Sequence, residues 1–283
     1  MCAACGRDAQ ASGVYLTVKG SRGDWVPTDE VHIFWYIQTY RDLSRLRTTL
    51  ARLRKLYPES QVLVVSDGDT DPSIAQACGR YSVEFAHRAR LMSVEHGGEP
   101  VQKMLEAFLE TDADILIKID PDTSLRRRLS VMPAPTDPSS YGTVQWSGPE
   151  SNRIFSIQGG CMIIPRQAAV LLVGSSLLTS ERLKPPALEW AVNKLSIDRA
   201  ASGLTSHDWT LGWSCRELGL LSKAHPEVFS NHRPRLIDAL RKRRTAVAHP
   251  RFEIKQLMDP GFYEWFGPLR RTIRKALKAG RAE

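Results

Sequence analysis

Four apolar runs alternate with segments of helical period through the first 120 residues. Residues 31–40 (VHIFWYIQTY) are β-branched and aromatic, which predicts a strand. Residues 42–56 place Leu43, Leu46, Leu50, Leu53 and Leu56 at helical spacing with Arg and Lys between them. Tyr57-Pro58 ends that helix. Residues 61–68 (QVLVVSDG) form a continuous apolar run of the fully buried, parallel type. Asp71-Pro72-Ser73 opens a short helix to about Arg80, and residues 83–87 make a third strand. Residues 99–109 read as a helix turning Val101, Met104, Leu105, Phe108 and Leu109 inward. A fourth strand, 114–119, carries a buried-looking Lys118 and runs straight into Asp120-Pro121-Asp122-Thr123.

After residue 129 the pattern changes. Pro, Ser and Gly dominate 132–152. Residues 154–165 (IFSIQGGCMIIP) read as strand, glycine turn, strand, with a helix at 166–172. A helical stretch at 187–195 leads to a further helix from about 208 to 218. Strands alternating with helices predict an α/β fold whose mostly parallel mixed sheet is covered by helices on both faces. Ligands of such sheets sit beyond the carboxyl ends of the strands. Gln38, Thr39 and Tyr40, then Ser66, Asp67 and Asp69, then Asp120 and Asp122 lie at those ends and are expected in one crevice.

Composition changes this picture little. With 283 residues, 42% hydrophobic and 25% charged, the chain suits one large domain with appendages. No apolar run approaches the roughly 18–20 residues of a membrane span, and the first residues lack the apolar core of a secretory signal. The expectation is a cytoplasmic protein. Five scattered cysteines do not suggest a disulfide framework, and Cys2 and Cys5 have no second pair at zinc-ribbon distance.

Charge is more informative. Residues 233–283 hold 14 Lys and Arg against 5 Asp and Glu, a net +9, so the whole of the +8 net charge lies there and the rest of the chain is near −1. That distribution argues against an evenly basic nucleic-acid binder. Within it, residues 268–280 form a basic stretch with Leu269, Ile273 and Leu277 on one stripe. It is a candidate for peripheral contact with an anionic membrane on its inner face.

The order strand, VVSDGDTDPS, strand, helix, DILIKIDPDT resembles the nucleotide-binding half of GT-A glycosyltransferases. Many of these carry an acidic turn after the second strand and a D-x-D after the fourth. The resemblance covers about residues 31–220. It implies a GT-A-like (Rossmann-like) domain at 26–255, with a nucleotide-binding half (26–130) and an acceptor half (131–255). A weakly ordered tail (1–25) would precede it and a basic helical segment (256–283) follow it. The implied activity is metal-dependent transfer of a sugar from a nucleotide-diphosphate donor, a UDP-sugar first among them, to an acceptor hydroxyl. Mn2+ or Mg2+ would be the cofactor, because a hard cation bridging two phosphates takes carboxylate oxygens.

By that resemblance Asp122 binds the metal directly, and Asp120 holds metal-bound water or the donor ribose. Asp67 meets the base, and Gln38 and Thr39 line the nucleoside pocket. Lys103 and Arg90 are candidate donor contacts. Gly159 and Gly160 let the backbone approach the sugar closely. Asp208 is the base of an inverting enzyme, or else caps its helix, and His249 is a late metal ligand. The sequence departs from the pattern where His207, and not a second acid, precedes Asp208. The resemblance leaves the acceptor open between a glycan, a lipid-linked molecule and a small molecule.

Two other readings stand beside it. DPDTSL also matches the D-x-D-x-T-L of haloacid-dehalogenase-like phosphatases, with Asp120 as nucleophile and Asp122 as acid/base. Three strands precede the motif, however, and no paired-acid motif for Mg2+ follows it. The other reading is a non-catalytic protein acting through its basic C-terminus on membrane or nucleic acid. The spacing of Asp67, Asp69 and Asp71 suggests a Ca2+ loop, but Pro72 and Cys78 stand where an EF-hand needs Gly and Glu.

Overall fold

The computed structural model describes residues 25–40, 42–89, 98–147, 154–183, 207–230 and 245–249. The chain forms β1 (Trp25–Pro27), β2 (Ile33–Thr39), α1 (Leu43–Leu56), β3 (Gln61–Asp67), α2 (Pro72–Arg80), β4 (Glu84–Arg88), α3 (Glu99–Leu109) and β5 (Ile115–Ile119). It continues with β6 (Ser124–Leu125), β7 (Val131–Pro133), β8 (Ser140–Ser147), β9 (Ile154–Pro165), α4 (Arg166–Gly174) and α5 (His207–Glu217). Three short strands complete it: β10 (Ser222–Ala224), β11 (Val228–Ser230) and β12 (Val247–His249).

The central sheet has the order β10-β8-β9-β5-β2-β3-β4. β4, β3, β2 and β5 are mutually parallel, and β9 is antiparallel to both β5 and β8. Alternation along the strands divides the core. Trp35, Ile37, Ile115 and Ile117 face α1 and α2 with Leu46, Leu50, Leu53 and Ile74. Phe34, Tyr36 and Leu116 face the other way, with Met104, Leu105 and Phe108 of α3, Leu172 of α4 and Leu211 of α5. The sheet is therefore covered on both faces, as the alternating pattern requires.

Residues 154–165 do not turn. They form one continuous strand, because both ends pair in the same direction. Ile154–Ile157 lie against β8, and Cys161–Pro165 lie against β5. Gln158, Gly159 and Gly160 fall at the register shift between these stretches, an irregularity of the kind that re-aims a strand beside a site. The aromatic residues of α5 belong to the core: Trp209 and Trp213 pack with Ile154, Leu177 and Leu183.

Two small sheets flank the central one. β1 pairs with β7, and β12 lies between β11 and β6. His225 helps lock this side. Its Nδ1 accepts from the Glu227 amide (3.2 Å), which leaves the ring proton on Nε2, facing the Val131 carbonyl at 3.1 Å. Trp25 meets it edge-on at 5.0 Å. Burial pushes the imidazole down from 6.5 to about 4. Between those values the unfolded chain binds the proton that the folded chain refuses, so stability falls as pH falls through that window. The expected loss is about 3 kcal/mol. Urea unfolding between pH 7 and pH 4 will show it, and a His225→Gln variant will lack that part of the slope.

No described helix is long and apolar enough to cross a membrane. The tail at 1–24, Cys2, Cys5, Arg90, the helical stretch at 187–195 and the basic segment from 250 onward lie outside the described residues.

Candidate active site

The parallel strands deliver their last residues to one edge of the sheet. Thr39 pairs with Ser66, Ser66 with His87, and Asp67 with Arg88. Gln38 lies beside Val65 on the same edge, and the Thr39 side chain is buried. Asp67 is buried, and the next residue, Gly68, takes a φ of 83°, a left-handed conformation that suits glycine. Arg88 donates to the Tyr36 hydroxyl at 2.7 Å. Burial, opposed by Arg88 and reinforced by Asp67, raises the Tyr36 phenol to about 12. Asp67, Arg88 and Tyr36 form a trio at this edge of the sheet, and of the three only Asp67 stood out in the sequence. The neighbouring acids are structural: Asp69 accepts from the Asp71 amide, and Asp71 caps α2 through the Ser73 amide.

The Asp120-Pro121-Asp122-Thr123 segment is a tight turn. The Thr123 amide donates to the Asp120 carbonyl (3.0 Å) across a proline whose φ is pre-set for the second position. Thr123 Oγ1 donates to the Gly160 carbonyl (2.6 Å), and Thr49 Oγ1 of α1 donates to the Pro121 carbonyl (2.7 Å). The turn is thus held by backbone and threonine contacts. Its two carboxylates diverge in their partners. Asp122, its side chain 6% exposed, faces Arg45 of α1 at 3.7 Å, and Arg45 also reaches Asp42. Asp120 accepts from Lys118 Nζ at 2.5 Å.

Lys118 leads across to β9. Its ammonium also donates to the Gly159 carbonyl at 2.6 Å. A Cβ placed on Gly159 would lie 3.9 Å from both Lys118 Nζ and Asp208 Cβ, so these groups border one small space. Asp208, in the first turn of α5, accepts from Gln145 Nε2 (2.7 Å) and from the Trp209 amide (2.9 Å). Crowding by protein raises its carboxyl above the ordinary range, and Asp120 adds to this. The Trp209 amide, Lys118 and Gln145 oppose it without cancelling it. The raised carboxyl thus sits beside Gly159 and Lys118.

The close approach of α5 to β9 makes this meeting possible. A Cβ on Gly212 would lie 2.6 Å from Ser156 Cβ and 2.9 Å from the Phe155 carbonyl. Gly212→Ala is expected to destabilise the protein by about 1–3 kcal/mol through overpacking. Chemical denaturation checks this. Gly159→Ala meets only ordinary contacts and serves as the control.

The remaining candidates are placed less centrally. Lys103 pairs with Glu99 at 2.8 Å on the solvent side of α3, its side chain 45% exposed. The His249 side chain lies outside the described residues, but its backbone continues the ladder in which Ala248 pairs with Ser124, next to the D-x-D turn. Among the described residues no three His, Cys, Asp or Glu side chains gather as a metal cage. The turn itself offers two hard carboxylates, each now facing a protein cation. That donor set fits a divalent ion whose other ligands come from a diphosphate and water. Lys118, Gln145 and Arg45 had no assigned role in the sequence, because their partners are distant in it.

No family model and no curated protein matches the chain. Among solved structures it is similar to the mannosyltransferase PcManGT from Pyrobaculum calidifontis in complex with GDP-Man and Mn2+. Identity there is 13% and TM-score 0.38, over 55% of this chain and 50% of that one. It is also similar to S. aureus TarS, at 17% identity and TM-score 0.29, over 34% of this chain and 18% of that one. The chain spans half the length of the first and less of the second.

Proposed function

We propose that the protein is a metal-dependent glycosyltransferase that moves a sugar from a nucleotide-diphosphate donor, a UDP-sugar first among them, to an acceptor hydroxyl. One observation carries this reading. Lys118, whose ammonium donates to Asp120 of the D-x-D turn, and the carboxyl of Asp208, 88 positions beyond Asp120 in the chain, border the same space beside Gly159.

The roles follow from chemistry. Asp67, Thr39 and Gln38 line the nucleoside side at the ends of β2 and β3. Asp122 and Asp120 would hold Mn2+ or Mg2+, with His249 as a further ligand. When bound, the ion offsets the charge gathering on the leaving diphosphate. Gly159 and Gly160 keep the sugar's side of the crevice open. Asp208 takes the proton of the acceptor hydroxyl as that oxygen bonds to the anomeric carbon. The bond from that carbon to the diphosphate breaks, its electron pair leaving with the diphosphate. Gln145 and the Trp209 amide hold the base while each carboxylate oxygen keeps a second lone pair for the proton. Attack from the side opposite the diphosphate inverts the sugar.

The test is calorimetric titration of UDP, then GDP, with and without Mn2+. Binding that requires the metal supports the reading. No binding by either nucleotide, together with Mg2+-dependent hydrolysis of a generic phosphate ester, would return Asp120 to the role of a phosphatase nucleophile.

A further inference from the structure

A lysine in the middle of an otherwise apolar strand needs a reason. β5 reads Ile-Leu-Ile-Lys-Ile, and all five residues are buried. Lys118 is 3% exposed and sits between Tyr36 on β2 and Met162 on β9. A buried ammonium is retained only where anions and carbonyls compensate its lost hydration. Two groups compensate it directly and a third lies close by. Asp120 supplies a carboxylate from the metal-side turn, Gly159 supplies a carbonyl from the irregular stretch of β9, and Asp208 borders the same space from α5. The neighbouring Gly160 carbonyl is taken by Thr123 of the same turn. Lys118 thus stands where the donor side and the acceptor side of the crevice touch.

We propose that Lys118 is a positioning residue whose ammonium ties Asp120, the Gly159 carbonyl and Asp208 into one unit, so that the metal-side and base-side carboxylates are held in register with each other. The inference rests on the transferase reading for its purpose, but its physical content is separable. Residues one step behind metal ligands typically change metal affinity about 10–100-fold when removed. Contacts that share one partner are non-additive.

The experiment compares Lys118→Met and Lys118→Arg with wild type, alone and combined with Asp120→Asn or Asp208→Asn. Lys118→Met is expected to weaken Mn2+ binding in the presence of UDP or GDP by about tenfold or more, and Lys118→Arg, which keeps the charge, to restore most of it. Asp208→Asn is expected to recover more melting temperature in the Lys118→Met background than in wild type. Where Lys118→Met does not fold, the Asp120→Asn/Asp208→Asn cycle with Lys118 intact decides. The double variant, leaving the ammonium with neither carboxylate, should melt below the value that the sum of the two single shifts gives. Additive melting shifts, or unchanged or tighter Mn2+ binding, overturn the proposal. Wild-type protein that binds neither nucleotide with Mn2+ removes the transferase reading instead, while the ligand-free melting cycles still decide whether Lys118 joins the carboxylates.

Discussion

Asp122→Ala is expected to abolish metal-dependent nucleotide binding and leave the fold intact. The turn that carries it does not depend on its side chain. Thr123 Oγ1, the Thr123 amide and Thr49 Oγ1 hold the backbone, and Pro121 pre-sets its bend. Arg45 keeps Asp42 at 3.8 Å when Asp122 is gone, so no buried cation is stranded. The carboxylate itself is nearly enclosed, which costs hydration and is worthwhile only opposite a cation. Loss of a direct ligand should exceed the roughly 100-fold upper range seen for outer residues. Titration of UDP and GDP with Mn2+ measures the effect, and circular dichroism with a melting curve measures the fold. A variant that still binds nucleotide only with metal would move the ion elsewhere and undo the assignment of this turn.

Asp208→Asn should spare that binding and remove transfer, by about 10²–10⁴-fold if it acts as general base. Asparagine keeps the shape and can still accept from the Trp209 amide. The pH behaviour gives an independent sign. Burial raises the folded carboxyl, so the wild-type rate should climb with pH along a limb above the usual carboxylate range. Asp208→Asn will lack that limb. The same shift acts on stability in the opposite sense. A carboxyl that binds its proton more tightly when folded loses stability as pH rises from the unfolded value through the folded one. Asp208→Asn should therefore melt higher than wild type at neutral pH, the pattern of a group kept for chemistry at a cost in stability. A variant with full transfer and an unchanged melting point would leave Asp208 as a first-turn helix residue.

The elements were legible in the sequence because their signals are local. The leucine spacing of α1, the apolar runs of β3 and β5 and the Asp71-Pro72 start of α2 reflect periods of 3.6 and 2.0 that backbone geometry imposes on near neighbours. The D-x-D turn was legible for the same reason, being four consecutive residues after a buried strand. The reading of residues 154–165 went astray because glycine marks a turn and an irregular strand alike. Which one forms depends on whether the flanking residues pair back on each other or onward to β5 and β8. Asp208 could be named from its helix start, but its company could not. Gln145, Lys118 and Gly159 reach it only because β9 lies beside β5 and β8, and because Gly212 lets α5 close on β9. Asp122 meets Arg45, and Tyr36 meets Arg88, for the same kind of reason. By itself the sequence determined where β2 to β5, α1 to α3, α5 and the acidic turns would form. The order of strands in the sheet and the depth of helix packing decided which charges meet, because Coulomb and hydrogen-bond partners are chosen by distance in space and not along the chain.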